Sequence, residues 1–369
     1  MKERYVQLDS LRGLAAMVVL FSHLIMVPSF LSPTMQTLVE SPLGIIVRGH
    51  ESVMFFFLLS GFVLSLPFLS GSQPNYAGYL IKRFFRIYVP YIISFFVVIL
   101  LHILSPMRTG EGISGEVQSW WSHSLNWRLF MEHISGIFLF DAKAVNIVYW
   151  SLVHEMRISI IFPFIVIILC RFKWFFTAIS GLACFVLAIA LSIDSLHYLS
   201  FFIYGLLLAR YRSEAAAWIR SRRSLTRIAI LLMSYICYTY ATFLPLHVFA
   251  KDQIVGLGAG GFIATALASR RIGSALQTRI PMFLGHISYS LYLYHIPVLL
   301  SLVFFFYGIV PIPYLLIASV AIAIALAYVG WRYIEVPAIF LGRRLADNVI
   351  RARRYERERY LSSKAERML

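Results

Sequence analysis

Only 17 of the 369 residues are acidic, and cysteine occurs three times. Cys170, Cys184 and Cys237 each fall in or beside an apolar stretch, so they read as core packing and not as a disulfide framework. The motifs of soluble chemistry are missing too. There is no Gly-x-Ser-x-Gly elbow, no Gly-x-x-x-x-Gly-Lys phosphate loop, and no Cys or His cluster at zinc spacing, so no metal site is expected. No internal repeat is visible, which tells against an inverted-repeat transporter. No small-x-small cleavage site follows the first apolar stretch, which is therefore read as an uncleaved span. What the chain has in abundance is apolar surface: 60% of residues are hydrophobic and 16% aromatic. With repeated apolar runs of roughly 17 residues or more, it is expected to be an all-α, polytopic integral membrane helix bundle.

About ten spans are expected, near 10–30, 52–70, 87–105, 147–169, 174–192, 196–209, 227–245, 253–268, 286–307 and 313–334. The sixth and eighth are short for a straight crossing. With both termini cytoplasmic, the inner segments carry 25 Lys and Arg and the outer segments 5. That asymmetry supports the orientation, and an odd number of spans would scramble it. The net charge of +16 is accordingly read as a topology signal, with no nucleic-acid partner. One transmembrane domain, 1–340, is followed by a basic tail, 341–369, suited either to anionic lipid or to simple solvation at the inner face. The largest outer segment, 106–146, leaves no room for an appended soluble domain. It holds Trp120, Trp121 and Trp127, which suit sugar stacking or interfacial anchoring, and the apolar run "HISGIFLF".

Ionisable groups inside a bilayer are costly and point to function. The first span, "LDSLRGLAAMVVLFSHLIMV", carries Asp9 and Arg12 at one end and His23 towards the other. Eleven steps at about 100° each bring Arg12 and His23 within some 20° of one helix face, about 16 Å apart along the axis. "YLIKRFFRIYVPY" sets Lys82, Arg83 and Arg86 at the inner mouth of the third span. Arg83 and Arg86 are i, i+3 neighbours that either converge on a phosphate-sized anion or serve as ordinary inside-positive flanking. In "VYWSLVHEMRISIIFPF", Glu155 either orients a base, binds a hydroxyl or pairs with Arg157. His286 and His295 in the ninth span read first as structural histidines, and Glu335 as a salt-bridge partner of nearby arginines.

Several stretches together resemble the acyltransferase-3 family, multi-spanning enzymes that move acyl groups, usually acetyl, onto carbohydrates and other hydroxyl acceptors. The opening span, with Arg12 and His23, is similar to its first signature. "MFFFLLSGFVLS", "RFFR", "YWSLVHE", "ISYSLYLYH" and "YIEVP" are similar to the others, in family order over residues 8–344. One departure is Met54, where the family often has an acid; Glu51 stands one turn earlier. The resemblance implies a multi-pass enzyme of the plasma membrane, the inner membrane in a bacterium. It implies no permanently bound cofactor, and an acyl-CoA co-substrate, acetyl-CoA in the simplest case, arriving from the cytosol. Arg12, Arg83 and Arg86 would hold that donor. His23 would be the general base for a carbohydrate or glycolipid hydroxyl, with Glu155 orienting the base or the sugar. Asp9, Trp150, Ser151 and His295 take supporting places in the same motifs. Membrane lipid is a partner by construction, and self-association is left open. The rival reading is a proton-coupled transporter using His23, Glu155 and His295 as a relay.

Overall fold

The computed structural model describes residues 5–70, 75–105, 111–121, 125–135 and 144–366. Among these residues there is no β-strand, only an isolated bridge between Pro28 and Ile113. The described residues form sixteen α-helices: α1 Val6–Met26, α2 Pro33–Glu40, α3 Gly49–Leu69, α4 Tyr76–Leu104, α5 Gly115–Ser119, α6 Trp127–Ser135, α7 Tyr149–Leu169 and α8 Trp174–Leu191, then α9 Asp194–Arg210, α10 Arg212–Ser221, α11 Ser224–Tyr240, α12 Val248–Ala268, α13 Arg270–Leu276, α14 Arg279–Phe306, α15 Ile312–Gly330 and α16 Val336–Glu366. In hydrocarbon every backbone polar group must be satisfied within the chain, and helices do this segment by segment. Where helices begin near water, side chains take up the free amides. Asn75 Oδ1 accepts from Gly78 N–H at 3.2 Å at the start of α4, and Ser114 Oγ from Val117 N–H at 3.3 Å at the start of α5.

Among the described residues, eight helices are long and apolar enough to cross a membrane: α1, α3, α4, α7, α8, α11, α14 and α15 running into α16. The two further spans expected from the sequence are helices as well, α9 and α12, but neither meets that standard. They are the same two whose expected spans were short. At 17 residues α9 rises about 25 Å, under the roughly 30 Å of a hydrocarbon core.

The third span differs most from expectation. α4 starts at Tyr76, eleven residues before the predicted boundary. The helix therefore already includes "YLIKRFFR", and Arg83 and Arg86 lie roughly 10 and 15 Å from its start. The lower part of α4 is covered by α16, where Gly342 lies against Phe85 and Gly78 against Ile350. α16 also runs unbroken across residue 340, and the irregular point of the last span is the π-helical turn Trp331–Glu335. The apolar run in the outer segment falls largely on 136–140, outside the described residues.

α14 is the axis of the bundle, with 17 buried residues. α1, α4 and α15 pack against it, while α3 sits between α1 and α9. Lipid offers no hydrophobic drive for helix association, so close approach through small residues does the work. Gly13 of α1 lies on the backbone of Leu284 and Gly285 in α14, and Gly285 lies in turn on Asp9 and Ser10. A Cβ at either glycine would overlap main chain. The contact fixes how these two helices meet, and hence the site.

Candidate active site

From Gly13 to His23 is ten residues, and from Gly285 to His295 is also ten. Because α1 and α14 touch at the two glycines and run parallel, equal spacings bring the two histidines to the same height. His295 Nε2 lies 3.2 Å from His23 Nδ1, and the ring centroids are 5.1 Å apart. His23 Nδ1 is also 2.8 Å from the carbonyl of Val19, and His295 Nδ1 is 3.0 Å from that of Leu291. His23 Nε2 has no hydrogen-bond partner among the described residues and is not among the sealed atoms. His295 is buried, whereas His23 is half-buried.

Below this pair lies a charged cluster. Arg12 Nη1 donates to Asp9 Oδ1 at 3.1 Å. Arg83 Nη2 donates to Glu155 Oε1 at 2.9 Å and to Ser159 Oγ at 2.7 Å, while its Nε is sealed without a partner. Ser60 Oγ donates to the same Glu155 oxygen at 3.1 Å. Glu155 is thus held by Arg83 and Ser60, and the neighbour of His23 is His295. Arg83 is likewise engaged and does not turn with Arg86 towards a shared anion. Arg86 itself makes no hydrogen bond or ion pair among the described residues. Its side chain is accessible, yet the charges acting on it are those of Arg12, Glu335, Arg83 and Glu155. Arg86 is thus an exposed residue whose charged neighbours come from α1, α4, α7 and the Trp331–Glu335 turn, which sets its guanidinium among the helices. Glu335 accepts from Ser290 Oγ at 3.3 Å and forms no ion pair among the described residues; Arg86 and Arg12 act on it at longer range.

The remaining motif residues brace these groups. Ser151 Oγ and the Tyr292 hydroxyl are 2.6 Å apart, tying α7 to α14 one turn below His295. Trp150 packs with Phe57, Tyr198 and His154. Two of the three outer tryptophans are inside the protein. Trp120 stands edge-on to His23 with centroids 5.6 Å apart, and Trp121 packs against His102 and Phe304; Trp127 alone is exposed. Their segment is pinned to the chain leaving α1, where Ser114 N–H donates to Val27 O at 2.8 Å and Ser29 N–H to Gly112 O at 3.0 Å.

A second polar group was not singled out from the sequence. Buried Asp252 of α12 accepts from His50 Nε2 at 2.8 Å and from His197 Nε2 at 2.9 Å. These residues are 202 and 55 positions from the aspartate, with no shared motif to signal the meeting. His50 follows Gly49, which packs on Ser22 of α1, so the group lies one helix away from His23.

A family model described as an acyltransferase domain matches residues 5–332, which takes in α1, α3, α4, α7, α14 and every group above except the last turn's Glu335. The chain belongs to the acyltransferase-3 family and is a multi-pass membrane acyltransferase. No curated protein and no solved structure matches it.

Proposed function

We propose that this protein is an O-acyltransferase of the bacterial inner membrane, moving an acetyl group from cytosolic acetyl-CoA to a hydroxyl of a cell-surface carbohydrate. In this reading the chain crosses ten times, α9 and α12 included, with both termini cytoplasmic. The observation that carries it is the open Nε2 of His23, about 16 Å along the same face of α1 from Arg12, with Arg86 of α4, which has no hydrogen-bond or ion-pair partner among the described residues, beside Arg12. The phosphates of CoA are held by Arg86, with Arg12 and Arg83 close by, and the pantetheine arm extends the thioester up among the helices. The acceptor hydroxyl gives its proton to His23 Nε2 as its oxygen bonds to the thioester carbon. The C–S bond then breaks, and the proton passes from His23 to the departing thiolate. Glu155 and Ser60 hold Arg83 in place.

The test uses purified protein and membrane vesicles. Acetyl-CoA should stabilise the wild type against heat in a saturable way, and label from acetyl-CoA should enter surface polysaccharide in vesicles. His23→Gln keeps a hydrogen-bonding amide but cannot take the proton. It should retain stabilisation by acetyl-CoA and lose transfer by roughly 10²–10⁴-fold. Full transfer by well-expressed His23→Gln, or no stabilisation of the wild type at millimolar acetyl-CoA, would overturn the proposal.

A further inference from the structure

A main-chain carbonyl only accepts hydrogen bonds, so a ring nitrogen facing one at bonding distance must carry hydrogen. His23 Nδ1 faces Val19 O, and His295 Nδ1 faces Leu291 O, each the carbonyl four residues earlier. Both imidazoles therefore hold their proton on Nδ1. For His295 this leaves Nε2 as a lone pair, and that lone pair meets the Nδ1–H of His23 at 3.2 Å. A second proton on His295 would set two N–H groups against each other. The order is therefore fixed: His23 donates, His295 accepts, and the lone pair of His23 is left on Nε2, facing away from the pair. His295 is 2% exposed, so nothing from solvent competes for its accepting nitrogen.

Resting on the reading of His23 as a base, we propose that His295 is its positioning residue, a neutral imidazole standing where a histidine base more often has a carboxylate. Two consequences favour such a partner here. A carboxylate at this depth would be a desolvated charge in every resting molecule, whereas the imidazole pair carries none until the reaction begins. When His23 takes the proton, the new cation is met by two acceptors already in place, Val19 O and His295 Nε2. The proton does not hop onward to His295, because that would turn a bare Nδ1 lone pair towards the Val19 carbonyl. His295 thus fixes which nitrogen of His23 is free and where it points, without touching substrate.

The test reads the lone pair directly, without any acceptor sugar. Diethyl pyrocarbonate modifies an unprotonated imidazole nitrogen, and the rate at His23 is followed by peptide mass spectrometry on the purified full chain. Glutamine places an amide oxygen near the position of Nε2, so His295→Gln should keep the His23 rate within about twofold of wild type. His295→Leu and His295→Met remove the acceptor and should slow it several-fold; the loss is partial because Val19 still holds the tautomer. Thermal midpoints and acetyl-CoA stabilisation separate these effects from misfolding, and Met covers the case in which Leu fails to fold. Equal rates in all variants, a Gln variant as slow as Leu, or a wild-type His23 that does not react would each overturn the inference. Loss of transfer in His23→Gln together with unchanged modification rates would leave the base assignment intact and remove only the role of His295.

Discussion

Arg83 and Arg86 are three residues apart, yet their surroundings differ in a way that kinetics and stability should separate. Arg83 is committed to Glu155 and Ser159, whereas Arg86 has no hydrogen-bond or ion-pair partner among the described residues. Arg86→Ala should raise the KM for acetyl-CoA several-fold at an unchanged thermal midpoint, and added salt should weaken the wild type towards it. Arg83→Ala instead leaves Glu155 with Ser60 alone. It should cost about 1.5–3 kcal/mol, seen as a lowered midpoint in protein without donor. If the two variants behave alike in both measurements, the distinction drawn from their partners fails. Single residues were partly legible beforehand. Arg12, His23, Arg83 and Arg86 stood out because charge in an apolar run is conspicuous in one dimension. The partner of Glu155 did not, since it lies 72 positions away and nearby Arg157 offered a local alternative. His295 read as structural for the same reason: its neighbour is 272 residues distant.

At the scale of elements, the meeting of α1 and α14 decides whether the histidines reach each other. Gly13→Leu would force side-chain atoms into the backbone at Leu284 and Gly285. Overpacking of this kind costs about 1–3 kcal/mol and should lower the midpoint, whereas Leu14→Ile, on an exposed position next door, should not. Equal midpoints would mean that the helices are not held at this crossing. Most spans were readable from hydropathy because length and apolarity are local properties. The start of α4 was not, because the charges of "YLIKRFFR" set it outside the apolar span until α16 covers its far side. One signal was available and unused, the ten-residue Gly-to-His spacing shared by the first and ninth spans.

For the molecule as a whole, the ten-crossing arrangement makes a definite topological claim. Reporter fusions after residues 248 and 309 should read outside, and those after 222 and 350 inside. Were α9 and α12 to return without crossing, the fusion after 222 would read outside, and the ten-span reading would fall. On the ten-crossing proposal, a bundle with its charged cluster towards the inner side and its paired histidines towards the outer side is close to being a conduit. What lies across its outer end is the stretch that brings Trp120 onto His23, stitched by two backbone hydrogen bonds to the chain leaving α1. A membrane that holds an ion gradient cannot tolerate a leak at each copy of a protein built in this way. The buried Trp120 therefore belongs to the electrical insulation of the membrane as much as to the surroundings of His23.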